Sequence, residues 1–319
     1  MFMKRLLATL GLAAALGLSG RSAGAQQLII KGEFGLKAGF TPPPGLYSGV
    51  IGAISWSDEL VGPEGNATSG STLTQYAFAP MVEYVSKFSL FGANYGAIVA
   101  VPFANIELSS PQLDVDDSTS MALSQLWVVP VMLGWHAGPG PLAPGGADMT
   151  FHYAFYPPTG RYSVILTPNG PAPAPNNAGL GMWTNELSFR ITDYFDKEKN
   201  WHASASLFYD FNGKKKDLDW TTGDPFTLMW GLGRDYGEKG SMLSGWLGAV
   251  GYSQWQVTAS TGSDAPDAVR AFKTQINGVG PEFTTLQGAL TIRYFWQFGG
   301  QFTIRGSGLY VQFVMPLPL

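Results

Sequence analysis

Apolar and polar residues alternate along much of this chain with a period of two. From Glu186 to Ile191 every second residue is apolar, and the residues between are Glu, Ser and Arg. The same alternation runs through Leu123 to Trp135, Ala203 to Phe211 and Leu290 to Phe298. Successive side chains of a β-strand point to opposite faces, so this pattern predicts strands with one apolar and one polar face. The chain is therefore predicted to be all-β.

The alternating segments predict twelve strands, an even number as in bacterial outer-membrane barrels. They cover residues 45–57, 72–85, 90–104, 122–136, 148–158, 181–192, 202–212, 224–233, 244–258, 270–280, 284–298 and 307–316. Odd-numbered connections (58–71, 105–121, 159–180, 213–223, 259–269 and 299–306) are longer on average than even-numbered ones (86–89, 137–147, 193–201, 234–243 and 281–283). Long loops at one end and short turns at the other are typical of such barrels.

The low content of charge favours a barrel in a membrane over a soluble β-sandwich. Charged residues make up 13% of the chain, against about 25% in an average soluble domain. They fall mainly in connections, such as Asp196 to Lys199 and Lys214 to Asp219. A membrane barrel turns apolar side chains to lipid and polar ones to its lumen. The prediction is a single-domain transmembrane antiparallel β-barrel of about 12 strands, with a secreted ligand-binding sandwich as the alternative.

Composition also excludes several classes of protein. The net charge is −4, so there is no basic excess with which to bind nucleic acid. The chain has no cysteine, which excludes disulfides and thiolate metal sites.

The first residues have the features of a signal peptide. Lys4 and Arg5 precede an apolar stretch from Leu6 to Leu18 that is too short to span a bilayer. Ala23-Gly24-Ala25 supplies the small residues of a cleavage site. We expect residues 1–25 to be removed, residues 26–44 to form a periplasmic segment or a lumen plug, and residues 45–319 to form the barrel. The predicted location is the bacterial outer membrane, in contact with its lipid.

Strand parity assigns a set of side chains to the lumen. A shift of one residue in register would reverse the assignment for a whole strand. Trp246 and Tyr252 share parity with Gln254, which predicts aromatic surface in the lumen for stacking flat or apolar solutes. The residues assigned to the lumen are Glu186, Arg190, His202, Asp210, Trp246, Tyr252, Gln254, Gln256, Lys273, Arg293 and Gln297.

Other residue patterns give little indication of chemistry. No two of the histidines, His136, His152 and His202, share one strand at i, i+2, so no local metal pair is predicted. The acidic run of Asp114, Asp116 and Asp117 is expected to be a solvated loop, with Ca²⁺ binding as the alternative. Lys214-Lys215-Lys216 is expected to be a solvated loop face, with lipopolysaccharide phosphates as an alternative partner. No catalytic residue or cofactor is predicted, and the chain is not expected to be an enzyme.

Several short motifs resemble the meta-pathway of phenol degradation family of outer-membrane proteins, whose members include a sphingosine-responsive porin. Their order and spacing extend over most of the chain after the signal peptide. The resemblance implies a β-barrel channel linked with the degradation of aromatic or other hydrophobic compounds. The motifs are Pro44-Gly45-Leu46-Tyr47, Pro158-Thr159-Gly160-Arg161-Tyr162, Gly181-Met182-Trp183, Gly248-Ala249-Val250-Gly251-Tyr252, Gly278-Val279-Gly280-Pro281 and Arg305-Gly306-Ser307-Gly308-Leu309.

Together, the residues and the resemblance predict an outer-membrane channel for passive uptake of small hydrophobic or aromatic solutes. The alternative is a closed structural or adhesive barrel that acts through its extracellular loops.

Overall fold

The computed structural model of the chain describes residues 34–110, 115–141, 143–167 and 170–318. The expected signal peptide lies outside these residues. Among them, no helix is long and apolar enough to cross a bilayer. The elements are β1 Gly45–Val61, β2 Ala67–Leu90, β3 Ala93–Ala100, β4 Phe103–Ser110, β5 Val115–Ser118, β6 Ala122–Leu123, β7 Trp127–Ala137, β8 Ala147–Tyr156, β9 Val164–Thr167, β10 Gly170–Pro173, β11 Thr184–Tyr194, β12 Trp201–Asn212, β13 Pro225–Tyr236, β14 Gly245–Gln256, α1 Asp267–Ala271, β15 Gln275–Thr285, a 3₁₀ turn Leu286–Gly288, β16 Leu290–Gln301 and β17 Thr303–Leu317.

The strands close into one antiparallel barrel, because β1 pairs with both β2 and β17. The third wall strand consists of β3 and β4, and the fourth consists of β5, β6 and β7. With β1, β2, β8 and β11 to β17 these give twelve wall strands, which confirms the predicted number. The hairpin of β9 and β10 stands apart from the wall in the connection between β8 and β11.

The two faces of the wall are inverted relative to a soluble protein. On β11, Glu186 and Arg190 are each 1% exposed, whereas Leu187 is 41% exposed. Exposed apolar side chains occupy the outer face of the other strands in the same way, as with Leu207, Trp230 and Leu247. An apolar outer face and a polar inner face are expected when lipid rather than water surrounds the barrel.

Two predicted connections are wrong. Residues 281–283 lie within β15, and the turn follows at Leu286 and Gln287, whose φ angles are +53° and +57°. Residues 86–89 belong to β2, and the turn follows at Phe91 and Gly92, both with positive φ. Gly280-Pro281 reads as a turn signal, but Pro281 lies on the exposed face of β15, opposite Ala249 of β14.

Three predicted long loops are instead mostly strand. Residues 105–121 contain most of β4 and all of β5. Residues 58–71 contain the end of β1 and the start of β2, joined by residues 62–66. Residues 299–306 contain the end of β16 and the start of β17, with Phe302 between them. We call this end of the barrel, opposite Gly45 and Leu317, the far end.

The wall is irregular where β7 meets its neighbours. The register shifts between Val128 and Val131 against β8, across Pro130, which has no N–H to donate to the ladder. Nearer the far end, the paired ladder of β7 and β8 stops at Val128 and Phe155. Side-chain hydrogen bonds replace the ladder there. Gln125 Nε2 donates to the carbonyls of Tyr156 and Met182, and Gln125 Oε1 accepts from the Leu180 amide.

Two hydrophobic clusters fill parts of the interior. The first lies against β2, β3 and β7 and includes Met81, Ile98, Trp127 and Met132. The second lies against β12 to β17 and contains Leu36, which precedes β1, together with Phe208, Val250, Tyr252 and Phe295. Side chains of a small barrel are expected to fill its interior in this way.

Candidate functional site

The interior face of the strands carries most of the side chains that parity assigned to the lumen. Trp246 is partly buried and packs against the cluster that contains Leu36. The other side chains of this set are less than a tenth exposed, and they are Glu186, Arg190, His202, Asp210, Tyr252, Gln254, Gln256, Arg293 and Gln297.

Lys273 is the exception, and its predicted place on an inward strand face is wrong. It is exposed and precedes β15, which begins at Gln275, and its ammonium donates to the Val257 carbonyl. Within β15 the even-numbered residues, such as Ile276 and Glu282, are the buried ones. The register of β15 against β16 also shifts between Gln275 and Asn277. Parity counted from Lys273 therefore reversed this strand.

The segment from Phe34 to Thr41 lies inside the barrel and is anchored to several strands. The Leu36 amide donates to Glu282 Oε2 at 3.0 Å, and the Gly39 amide donates to Thr192 Oγ1 at 3.0 Å. Thr41 Oγ1 lies 3.1 Å from Thr150 Oγ1. A Cβ at residue 39 would lie 2.4 Å from the Asp148 carbonyl oxygen, so only glycine fits this close approach. Hydrogen bonds from both the backbone and the side chains of the segment therefore hold it against the inner wall.

An ion pair ties the same segment to β13. Lys37 Nζ lies 2.7 Å from Asp235 Oδ1, and the ammonium also lies over the Trp246 ring at 4.5 Å from its centroid. His202 Nε2 lies 3.2 Å from the same Asp235 oxygen. Of these groups, parity identified His202 and Trp246.

Glu282 is a central interior residue that the sequence analysis missed. Its carboxylate accepts from Arg293 Nε at 2.5 Å, from the Leu36 amide, and from Trp246 Nε1 at 3.2 Å. Glu282 follows Gly280-Pro281, a turn signal that predicts a connection at residues 281–283. The signal that would have found it is its shared parity with Ile276 and Thr284.

Arg190 brings a second buried cation to the interior. Its guanidinium carbon lies 3.7 Å from the centroid of the Phe34 ring, a cation–π contact. Arg190 Nη1 lies 2.9 Å from His152 Nδ1, and Nη2 donates to Ser188 Oγ at 3.0 Å. The interior segment therefore meets wall charges at Phe34, Leu36 and Lys37.

The interior space between the described residues includes two cavities. One of about 550 Å³ lies beside the interior segment and is lined by residues that include Phe34, Lys37, Arg190 and Trp246. The other, of about 150 Å³, has a mainly apolar lining from β1 to β4, β7, β8 and the connection that follows β8. Trp127 lines both cavities.

The connections at the far end pack against one another. Leu218, Trp220, Ala265, Val269 and Phe302 form a buried apolar cluster there. The Asp219 carboxylate accepts from the Ser263 amide and hydroxyl at 2.9 and 2.8 Å, which joins two connections. The Lys214 ammonium, followed by these hydrogen bonds from Ser263, holds the pKa of Asp219 well below its usual range.

The lysine run does not form the predicted solvated face. Lys215 is buried, and its ammonium donates to the Leu180 carbonyl at 3.3 Å. Lys214 is exposed and pairs with Asp219 at 2.8 Å. Chain reversal in this tight connection turns Lys215 inward, and burial lowers its pKa to about 8.

Replacing Lys215 with Met is expected to make the protein more stable than the wild type at pH 7.5. At pH 10.5 the difference in stability between the two proteins should be gone. The folded pKa is about 8 and the unfolded one about 10.4. Between these two pKa values the unfolded chain therefore binds more protons than the folded chain, and the stability of the wild type rises with pH. Urea unfolding midpoints at the two pH values test this. The exposed Lys216→Met is the control, and an equal pH dependence in the two variants would contradict the assignment.

The described residues offer no cluster of three or more His, Asp or Glu side chains placed to hold a metal ion. His136 Nδ1 lies 2.7 Å from Asp148 Oδ1. In the acidic run, Asp114 lies outside the described residues, Asp116 is exposed, and Asp117 accepts from Asn176 at 3.3 Å.

Comparison with known proteins places the chain in a family. The model of the family described as "Putative MetA-pathway of phenol degradation" matches residues 57–313. No curated protein matches the chain.

Solved structures that match the chain share little of its sequence. An outer membrane channel from Pseudomonas putida F1 has a TM-score of 0.71 and 12% identity, over 87% of this chain and 97% of that chain. The β-domain of the Bordetella autotransporter BrkA has a TM-score of 0.44 and 10% identity, over 86% and 99%. The CymD monoaromatic hydrocarbon channel has a TM-score of 0.33 and 10% identity, over 96% and 99%.

The family match covers most of the chain, and the first of these structures shares its closed barrel fold. The chain therefore belongs to the family described as "Putative MetA-pathway of phenol degradation" and has the fold of an outer-membrane β-barrel.

Proposed function

We propose that the protein is an outer-membrane channel for passive uptake of small hydrophobic or aromatic solutes. The observation that carries this proposal is the mixed lining of the lumen. Polar and charged side chains such as Glu186 and Arg190 face inward along β11, whereas two apolar clusters cover parts of the lining, one on β2, β3 and β7 and one on β12 to β17. An ion-selective pore needs no such apolar surface, but a path for flat apolar solutes does. The family description, which refers to phenol degradation, supports the same solute class.

Residues 26–44 act in this proposal as a plug within the barrel formed by residues 45–319. The contacts of Leu36, Lys37 and Gly39 with three different wall strands support that role. Hydrogen bonds and one ion pair hold the segment to the wall, and none of these contacts is covalent. The segment can therefore leave the lumen without breaking a covalent bond.

Single-channel recording on the refolded chain Gln26–Leu319 in a planar bilayer tests the channel proposal. We expect discrete openings, because side chains and the interior segment leave cavities in the lumen. Uptake of labelled phenol by intact cells that produce the protein should exceed uptake by cells with the empty vector. Silence and unchanged uptake from a chain that is folded, as judged by a heat-modifiable gel shift, would contradict the proposal.

A closed barrel that acts through its loops is the second candidate, and the far-end cluster favours it. Leu218, Trp220 and Val269 tie the connections into a compact cap. In that case the chain would show no openings in the bilayer, and exchanging residues 257–274, which contain Ala265 and Val269 of the cluster, would abolish adhesion of cells to a surface.

The partners in this proposal are membrane lipid around the apolar outer face and the transported solute. We further propose that Lys214 and Lys216, both exposed, contact lipopolysaccharide phosphates. The test is to extract the wild type and a Lys214→Gln/Lys216→Gln variant from membranes and to measure the lipopolysaccharide that stays bound to each. Equal amounts of bound lipopolysaccharide would count against the contact.

A further inference from the structure

The smaller cavity owes its space to a group of alanines. Ala53 of β1 lies directly opposite Ala77 of β2, and Ala77 lies opposite Ala104 of β4. Ala79 and Ala100 line the same cavity. Larger inward residues occur close by, such as Met81 and Ile106. Small side chains at several adjoining inward positions therefore contribute to the space of the cavity, whose lining also includes Phe78 and Phe103.

The size and lining of this cavity fit one six-membered ring. Its volume is about 150 Å³, and Trp127, Tyr156 and Tyr310 contribute aromatic side chains to its lining. An apolar cavity of about 150 Å³ in another protein stays free of water and binds benzene. Aromatic side chains add favourable edge or face contacts with an aromatic guest.

One hydrogen-bond donor in the lining of the cavity has no hydrogen-bond partner among the described residues. Trp127 is only 7% exposed, and its indole nitrogen makes no hydrogen bond to the described residues. Buried polar groups in folded proteins are nearly always hydrogen-bonded, and an unsatisfied one is costly. The Tyr156 hydroxyl, in contrast, donates to Glu186 Oε2 at 2.8 Å. An acceptor atom on a bound ligand would satisfy this N–H.

The cavity is covered by a connection that side chains hold in place. Ala178 and Leu180 lie in its lining. Ser124 Oγ donates to the Ala178 carbonyl at 2.7 Å, and Gln125 Oε1 accepts from the Leu180 amide. These hydrogen bonds lie beyond the last paired residues of β7 and β8, Val128 and Phe155. The cover therefore depends on a few side-chain hydrogen bonds and not on a continuous sheet.

We propose that this cavity is a binding site for one aromatic ring that carries an oxygen acceptor, with Trp127 Nε1–H donating to that oxygen. The inference rests on the proposed function, since it assigns a site to the solute class named there. The ring lies among Ala53, Ala77, Ala104 and Tyr310, under the cover of Leu180.

Fluorine NMR on the purified full chain in detergent tests the site with two probes of the same shape. 4-Fluorophenol carries the oxygen acceptor, and 4-fluorotoluene has a methyl group in its place. We expect saturable binding of both, with 4-fluorophenol tighter. Ala104→Leu fills the cavity and should weaken both probes at least about tenfold, since a side chain occupies the volume of the ring. Ala97→Leu, on the outer face of β3, is the matched control and should bind like wild type.

Trp127→Phe separates the hydrogen bond from the space. It should weaken 4-fluorophenol by about 3- to 10-fold, the usual value of one hydrogen bond, and leave 4-fluorotoluene unchanged. Equal binding by wild type, Ala104→Leu and Ala97→Leu would overturn the site, and equal weakening of both probes by Trp127→Phe would overturn the donor assignment. Gel shifts on heating verify that each variant is folded.

Bilayer recording on the same samples distinguishes this inference from the channel proposal. Openings without saturable binding would refute the site and leave the channel. Saturable binding by a chain that never opens would support the site and contradict passive transport.

Discussion

Deleting residues 27–41 is expected to raise single-channel conductance severalfold. The described part of this segment places Leu36 in the interior cluster and Lys37 against Asp235, so its removal joins the surrounding cavity of about 550 Å³ to the lumen. Planar-bilayer recording of the deleted and the intact chain measures the effect. Lys239→Ala, which removes a cation from the turn after β13, is a control that should keep wild-type conductance. Unchanged conductance after the deletion would refute the plug.

A reversible lock tests whether the plug moves during conduction. Thr41 Oγ1 and Thr150 Oγ1 lie 3.1 Å apart, and the chain has no cysteine. A Thr41→Cys/Thr150→Cys variant therefore forms one disulfide only at this contact. Oxidised protein should lose large openings and regain them on reduction. Full openings in the oxidised state would show that conduction does not require movement of Thr41.

Glu282→Gln is expected to cost about 3–5 kcal/mol of folding free energy, the usual penalty for removing one partner of a buried ion pair. The change leaves the Arg293 guanidinium buried without its carboxylate, which lies 2.5 Å away in the wild type. Urea unfolding in lipid vesicles measures the loss. The double variant Glu282→Gln/Arg293→Gln should recover most of it, because no buried charge is then left unpaired.

A partly exposed pair on neighbouring strands provides the matched control. Glu59 of β1 and Arg305 of β17 also form an ion pair, at 2.6 Å, but both remain accessible to solvent. Glu59→Gln should cost only about 0–1 kcal/mol. Equal losses for Glu59→Gln and Glu282→Gln would mean that water screens the interior pair as well as it screens the exposed one.

Local patterns predicted much of the wall. Alternation along Glu186 to Ile191 identified a strand and the face that is buried, because the period of two is a property of each strand by itself. Alternation failed at Lys273, which precedes β15 and has the opposite parity to the buried residues of that strand. It failed at Glu282 because Gly280-Pro281 imitates a turn. At Lys215 it failed because the packing of separate connections, which no local pattern records, decides which lysine is buried.

By itself, then, the sequence determined a twelve-stranded barrel with an inverted surface, since strand periodicity and scarce charge are local properties. Only the tertiary structure decided that Leu36 and Lys37 lie inside the barrel, that Glu282 meets Arg293 and that alanines leave a cavity beside Trp127. These features join residues far apart in the chain, and barrel closure alone brings them together.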